Sequence, residues 1–180
     1  MRKTFVHFFT IADYEEEEAW LSQKHSEGWK FVKLTPPCFY VFEECEPEDV
    51  VYRMDYKNAG ETEDYLQMMR DFGWEYFAKC LGWLYFRKKA EGTAEERELF
   101  SDDASRAEMA ARVARTRLIP LCVIFLCCIL PNFIISLNGQ PFGGWRLAAM
   151  IVFGALFAFY EFLLIYCGVK LARIRRKYHG

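Results

Sequence analysis

The first part of the chain alternates between short apolar runs of strand character and runs in which apolar and polar positions follow a helical period. A β-branched and aromatic run at 4–11 predicts a strand. The acidic run at 15–18 follows and favours a helix start, because negative charge near a helix N-terminus interacts well with the helix dipole. We expect this acidic run to be solvated. Gly28 then ends the helix, and two strands are predicted at 29–34 and 38–42.

The same order of elements returns after an acidic loop at 43–49. The second set is a strand, a helix and two further strands, at 50–56, 62–72, 74–80 and 83–88. Gly73 ends the second helix as Gly28 ends the first. The chain therefore has two segments with the same predicted succession of elements.

The spacing of aromatic and glycine residues is also the same in both segments. Trp20-Leu21 precedes Gly28-Trp29 by eight residues. Tyr65-Leu66 precedes Gly73-Trp74 by the same eight. A duplication explains this coincidence, and chance similarity between short aromatic segments is the alternative.

We therefore predict an α+β domain over residues 1–89, made of a duplicated β-α-β-β unit at about 3–43 and 50–89. A six-stranded, mainly antiparallel sheet with two helices on one face would bury both sets of aromatic side chains. Roughly 100 residues are enough to bury one core, and aromatic residues increase the apolar area that each position contributes.

The remainder of the chain has the pattern of a membrane protein. Residues 90–117 are rich in alanine and predict a helical juxtamembrane linker. Two uncharged or nearly uncharged stretches at 118–137 and 147–169 are each long enough to cross a hydrocarbon core of ~30 Å. A short polar turn joins them, so that 118–169 predicts a two-helix transmembrane hairpin, and 170–180 forms a basic tail. Pro131 is expected to kink the first span.

Charge is distributed very unevenly along the chain. Residues 1–103 carry 13 Lys/Arg and 23 Asp/Glu, whereas residues 104–180 carry 10 Lys/Arg and 2 Asp/Glu. Basic residues flank both outer ends of the hairpin, which by the positive-inside rule predicts a multi-pass protein of the cytoplasmic (inner) membrane with both termini in the cytoplasm. The acidic domain excludes direct nucleic-acid binding, which needs a basic face.

Motifs for known chemistry are missing from the sequence. Its 7 cysteines form no C-x-x-C pair, and its 3 histidines are scattered. No Walker A sequence, dinucleotide fingerprint, H-E-x-x-H or nucleophile elbow occurs. We therefore predict no catalytic residues, no metal and no cofactor, and expect that the protein is not an enzyme.

Two polar residues on the predicted strand at 50–56 are candidates for a ligand or partner contact. Arg53 and Asp55 are two positions apart and so share one face of the strand. They would form a polar spot on an open sheet face. The alternative is a solvated face with a weak ion pair, worth ~0–1 kcal/mol.

Two residues of the second span are candidates for contact with another subunit or a partner helix, including a second copy of this chain. Glu161 is an acid within an apolar span, where a charge costs ~2.5–3.5 kcal/mol on insertion scales. Its alternative is a protonated or snorkelling side chain. Gly154 and Ala158 form a small-xxx-small pair that permits close helix approach. Ordinary packing within the hairpin is the alternative for that pair.

Residues 15–88 resemble a bacterial family of unknown function, DUF2812, in the segments EEEEAWL, EGWKFVK, VVYRMDY, DYLQMMRDFGWEYFAK and GWLYFRK. Members of this family often carry apolar spans after the domain. They are often encoded beside PadR-type repressors in Gram-positive bacteria, which implies a regulatory setting. The resemblance implies no activity and no catalytic residues.

These observations lead to two expectations for function. The first is a membrane-anchored cytoplasmic interaction or sensing module in bacterial transcriptional or envelope regulation, with a PadR-type regulator or a membrane protein as its partner. The second is a small accessory subunit of a membrane transporter complex, held through the second span.

Overall fold

The computed structural model of the chain describes residues 1–57, 62–91, 99, 103–138 and 144–177. It contains two compact units, Met1–Met109 and Ala110–Gly180. The predicted turn of the hairpin and much of the predicted linker lie outside the described residues.

The N-terminal compact unit consists of two repeats with the same element order. Its elements are β1 (Arg2–Val6), α1 (Tyr14–Ser26), β2 (Trp29–Thr35), β3 (Phe39–Glu44), β4 (Val50–Tyr56), α2 (Glu63–Asp71), β5 (Glu75–Cys80) and β6 (Trp83–Lys89). The strands form two antiparallel three-stranded sheets, in the orders β1-β3-β2 and β4-β6-β5. The last strand of each repeat is the central one in both sheets. The predicted α+β class is confirmed, and the matching strand order supports the duplication.

The irregularities of the two sheets also correspond. In β2 the register shifts between Phe31 and Lys33, and in β5 it shifts between Tyr76 and Ala78. Each shift falls three residues after the glycine that ends the preceding helix. A bulge at the same point of both repeats is a further sign of common origin, because bulges are kept within families as features of the fold.

Both helix-ending glycines have left-handed backbone angles, with φ of 88° at Gly28 and 80° at Gly73. The Gly28 amide donates to the His25 carbonyl at 2.9 Å, and the Gly73 amide donates to the Arg70 carbonyl at 2.8 Å. Glycine adopts this conformation without the steric cost that a Cβ brings. The same turn thus leads from helix to strand in each repeat.

The strands form two sheets of three where we expected one of six, and side chains of α1 cover the outer edge of β4. The Ser22 hydroxyl accepts from the Tyr52 amide at 3.1 Å, and Glu18 Oε1 accepts from the Met54 amide at 2.7 Å. Ser22 and Glu18 are four residues apart and so lie on one face of the helix. Because α1 binds the outer amides of β4, no further strand is needed there.

The two helices also do not share one face as predicted. Helix α1 packs against β2 and against β4 of the other repeat, whereas α2 packs against β5 of its own repeat. The second sheet is consequently covered on both sides. In β6 the residues Trp83, Leu84, Tyr85, Phe86 and Arg87 are all buried.

The core of the N-terminal compact unit lies in two layers. Between the sheets, the ring of Phe31 lies 5.4 Å from that of Tyr85 and 5.7 Å from that of Phe77, centroid to centroid. Behind the second sheet, α2 packs Leu66 and Met69 into a cluster that includes Leu84 and Phe86. Apolar burial on both faces of one sheet stabilises a domain of this small size.

The remaining helices are α3 (Asp103–Val113), α4 (Ile119–Ile124), α5 (Leu130–Asn138) and α6 (Gly144–Lys177), with π-helical turns at Ala114–Leu118 and Phe125–Ile129. Two stretches, Ser105–Leu137 and Leu147–Lys177, are long and apolar enough to cross a membrane. Both extend beyond the predicted spans on their basic sides.

Each π turn precedes a proline by two residues, Pro120 and Pro131. A proline ring clashes with the carbonyl four residues earlier, and in both cases that carbonyl belongs to the π turn. The wider turn accommodates the ring, so the chain stays helical through both positions. At the second proline, the Asn132 side chain donates to the Cys128 carbonyl at 2.7 Å.

Candidate functional site

A groove of about 540 Å³ lies where the two repeats meet. It is bounded by the end of α1, by β2, by the connection between the repeats, and by β5 and β6. Its charged lining residues are Lys30, Glu46, Glu48, Glu75, Arg87, Lys88 and Lys89. Neither repeat contains the whole site, so the duplication itself creates the groove.

Arg87 is the most buried charged residue of the groove, with 8% of its surface exposed. It stands opposite Glu75 in the antiparallel register of β5 and β6. Arg87 Nε donates to Glu75 Oε2 at 2.7 Å, and Arg87 Nη2 donates to Glu75 Oε1. The hydrogen bond from Arg87 holds the pKa of Glu75 below its usual range. A bidentate pair of this kind fixes the guanidinium in one orientation.

His25 and Tyr52 form the second polar pair beside the groove. His25 Nδ1 lies 2.7 Å from the Tyr52 hydroxyl, which also accepts from the Phe31 amide at 3.3 Å. Burial, together with the charge of Arg87, lowers the pKa of His25, and burial raises the pKa of Tyr52 to about 12.

The charges of the groove differ from those of the domain around it. Glu75 is paired with Arg87, and Glu48 lies 2.5 Å from the ammonium of Lys89. Lys30 and Lys88 add two positive charges against the one of Glu46. The groove therefore has a small excess of positive charge within an acidic domain. Ammonium and guanidinium groups at a concave surface are chemically suited to a carboxylate or a phosphate.

A separate buried acidic group lies between α1 and the second sheet. Glu17 is 6% exposed, and its Oε1 accepts from the Tyr85 hydroxyl at 2.9 Å. Burial raises the pKa of Glu17 to about 7. The expectation of a solvated acidic run at 15–18 was therefore wrong for Glu17 and Glu18, because α1 is covered by the second repeat along that side.

Asp55 does not lie on an open sheet face as predicted, because Tyr65 of α2 covers it. Asp55 is 1% exposed, and its Oδ2 accepts from the Tyr65 hydroxyl of α2 at 2.7 Å. Arg53 lies at the edge of β4, where Nη1 is 3.6 Å from Glu18 Oε2 of α1. Each residue joins β4 to a different helix, and neither lines the groove.

The two candidates in the second span differ in their surroundings. Glu161 is an exposed position of α6, and the described part of the chain gives its carboxylate no hydrogen bond or ion pair. Gly154 faces the first span, where a Cβ would lie 3.5 Å from Phe133 Cε2. Gly154 thus packs within the hairpin, and Glu161 points away from it.

Sequence reasoning missed the groove because its residues come from separate parts of both repeats. Among the described residues, no group of three or more His, Cys, Asp or Glu has an arrangement that could hold a metal ion. The one local signal was Arg87, the first charge after the apolar run 83–86 of β6. A charged residue in a central strand requires a partner, and the register of the β5–β6 hairpin supplies Glu75.

The comparisons with known proteins extend the resemblance seen in the sequence. A family model described as a protein of unknown function (DUF2812) matches residues 13–122. The matched region begins just before α1 and includes α3 and the start of the first apolar stretch. No curated protein and no solved structure matches the chain.

Proposed function

Since the chain belongs to the DUF2812 family, whose match runs from the start of α1 to the start of the first apolar stretch, we propose that it is a membrane-anchored cytoplasmic binding module. The groove between the repeats is its binding site, and the bound group carries a carboxylate or a phosphate. In this proposal the apolar hairpin anchors the domain at the inner surface of the bacterial cytoplasmic membrane. The proposal includes no catalytic turnover.

The observation that carries the proposal is the cationic lining of a groove within an acidic domain. Residues 1–103 have a formal charge of −10, so long-range electrostatics disfavour an anionic partner over most of the surface. A fixed Arg87 and the two lysines concentrate positive charge in one concave place. Such a local reversal of charge gives specificity for one face of the domain.

The resemblance to the family implies a regulatory setting, and the regulation we propose is transcriptional or concerns the envelope. A protein partner, such as a PadR-type regulator, would present an acidic segment to the groove. A small anionic metabolite would bind the same donors. In either case the domain binds a cytoplasmic partner or metabolite, and the hairpin keeps the domain at the membrane.

Cross-linked affinity purification from native membranes tests the proposal. The full-length chain, residues 1–103, and full-length chains carrying Lys30→Glu or Lys33→Glu are compared. Lys33 is an exposed residue of the same strand outside the groove, so it controls for the change of charge.

We expect residues 1–103 to retain the cytoplasmic partner, Lys30→Glu to lose it, and Lys33→Glu to retain it. Equal capture by both charge-reversal variants would contradict the role of the groove. A turnover activity in the N-terminal unit would contradict the proposal as a whole.

A second candidate function, an accessory subunit of a membrane transporter complex, is favoured by Glu161. This carboxylate is exposed on α6 within an apolar span, where a charge requires a partner. On this alternative only the full-length chain captures a membrane protein, and Glu161→Gln abolishes the capture.

A further inference from the structure

A second cavity, of about 570 Å³, lies within the C-terminal compact unit. Its walls are the first turns after Ala110 and the last turns of α6. Both walls have small side chains where they face the cleft, namely Ala110, Ala111, Ala114, Gly168 and Ala172. Because these positions carry at most a methyl group, the two helical segments leave a cleft between them.

The cleft is apolar along most of its length and cationic at one end. Leu118, Ile119 and Leu171 extend the apolar lining, and Arg115, Arg175 and Arg176 complete it. All three arginines are exposed. Such a surface combines a place for a hydrocarbon chain with a place for an anion.

The three arginines have no acidic partner in this part of the chain. Glu161 is the single acid in the sequence from 110 to 180. It precedes Arg175 by 14 positions, which is ~21 Å along a helix. Neither Arg115 nor Arg175 nor Arg176 forms an ion pair in the part of the chain that the structure describes.

The position of the cleft along the helices matches the surface of a bilayer. Exposed apolar residues of α6 continue as far as Val169, which is 52% exposed. The basic residues begin immediately after it, at Lys170. In a bilayer, this change from apolar to basic marks the level at which headgroups meet acyl chains.

We infer that this cleft is a binding site for one anionic phospholipid. The acyl chain lies along Leu118, Ile119 and Gly168, and the phosphate meets Arg115, Arg175 and Arg176. Basic pockets between transmembrane helices near the headgroup level have the chemistry for such lipids. A cleft of this volume is in the range of small-molecule sites. The inference needs only that the two apolar helices lie in a bilayer, and it is independent of the groove between the repeats.

Native mass spectrometry of the delipidated full-length chain in neutral detergent tests the inference. Phosphatidylglycerol and phosphatidylcholine with the same acyl chains are titrated separately. The charge variant is Arg175→Gln/Arg176→Gln. Its matched control is Arg173→Gln/Lys177→Gln, which removes two charges from the same helix end outside the cleft. A third variant, Ala172→Leu, fills the cleft at an exposed position and keeps every charge.

We expect one phosphatidylglycerol to bind at least about tenfold more tightly than phosphatidylcholine, since each basic residue near an anionic headgroup contributes roughly fivefold. Arg175→Gln/Arg176→Gln removes this preference, and the control pair keeps most of it. Ala172→Leu weakens binding of both lipids. Inorganic phosphate at millimolar concentration does not displace the lipid.

Three results would overturn the inference. Equal affinity for the two lipids would remove the role of the arginines. Full displacement by inorganic phosphate would identify a headgroup site without an acyl component. If Ala172→Leu leaves lipid binding unchanged but blocks capture of a membrane protein, the cleft holds a partner helix instead.

Discussion

Glu17 shows how strongly the surroundings of one side chain determine its charge. The residue stands third in a run of four glutamates, of which Glu16 is exposed. Helix α1 turns Glu17 toward Tyr85 of the second repeat, and burial raises its pKa to about 7 from an ordinary 4.5. Between these two pH values the folded chain binds more protons than the unfolded chain. The stability contributed by this group is therefore complete below pH ~4.5 and is lost as the pH rises to ~7.

We predict that Glu17→Gln removes this pH dependence and stabilises the domain at pH 8. The pKa difference corresponds to about 3 kcal/mol in the free energy of unfolding. A neutral amide at this position avoids burying a charge and still accepts from Tyr85. The measurement is denaturation of the full-length chain between pH 5 and 8, followed by tryptophan fluorescence. A Trp145→Phe background leaves only the domain tryptophans.

The titration of His25 changes the stability with pH in the opposite direction. This effect is the same in the parent chain and in Glu17→Gln, so it cancels when the two are compared. The pKa of His25 is lowered, so the unfolded chain binds its proton first, and stability is lost as the pH falls below ~6.5. This contribution is common to both chains. Parallel curves for the parent and Glu17→Gln would contradict the assignment of the difference to Glu17.

At the scale of the elements, the turns at Gly28 and Gly73 have the same backbone conformation, so the same substitution can be compared at both. Both have left-handed φ, which costs an alanine roughly 1–2 kcal/mol. A Cβ at Gly28 would lie 3.2 Å from the Cys45 carbonyl oxygen, which is backbone. A Cβ at Gly73 would lie 3.3 Å from Lys88 Cε, which belongs to a flexible side chain.

We predict that Gly28→Ala destabilises the domain more than Gly73→Ala. Gly73→Ala should cost about 1–2 kcal/mol, because Lys88 can move. Gly28→Ala should cost about 1 kcal/mol more, since the chain near Cys45 has to shift. Chemical denaturation of both variants in the same fluorescence background measures the difference. A larger loss for Gly73→Ala would show that the Cys45 contact is not the limiting one.

The contact of α1 with the edge of β4 gives a second prediction at this scale. Ser22→Ala removes the acceptor of the Tyr52 amide, and an unsatisfied buried donor costs about 1–3 kcal/mol. We expect faster hydrogen exchange at the amides of Tyr52 and Met54. Gln23→Ala, on the exposed side of the same helix, is the control and should leave both amides unchanged. If these two amides remain protected from exchange in Ser22→Ala, another group accepts their hydrogen bonds and the prediction is contradicted.

The sequence predicted the elements well because their signals are local. The glycine-tryptophan pairs, the acidic helix start and the alternating strands each depend on neighbours within about ten residues. The division into two sheets was not predictable in this way. It depends on contacts between the repeats, such as those of Glu18 and Ser22 with β4 about thirty positions later in the chain, and no local pattern encodes them. The groove was missed for the same reason.

At the scale of the whole molecule, the charge pattern predicts the orientation of the hairpin. Basic residues precede the first apolar stretch and follow the second, whereas the turn region carries only Arg146. We predict that a periplasmic reporter fused after Gly180 stays inactive and that the same reporter inserted at 139–143 is active. Replacing Arg173, Arg175, Arg176 and Lys177 with glutamine should weaken this difference. Activity at both positions would contradict a hairpin with both ends inside.

Strand β1 is a sheet edge that α1 does not cover, and this edge limits how copies of the chain can associate. Among the described strands, β4 is covered by α1, β2 and β5 lie beside each other, and β1 pairs on one side only. Arg2 and Lys3 place positive charge on that strand, which discourages pairing. A second copy that joined through β1 would use up the same edge in both molecules. Growth of the sheet through β1 therefore stops at a pair of molecules.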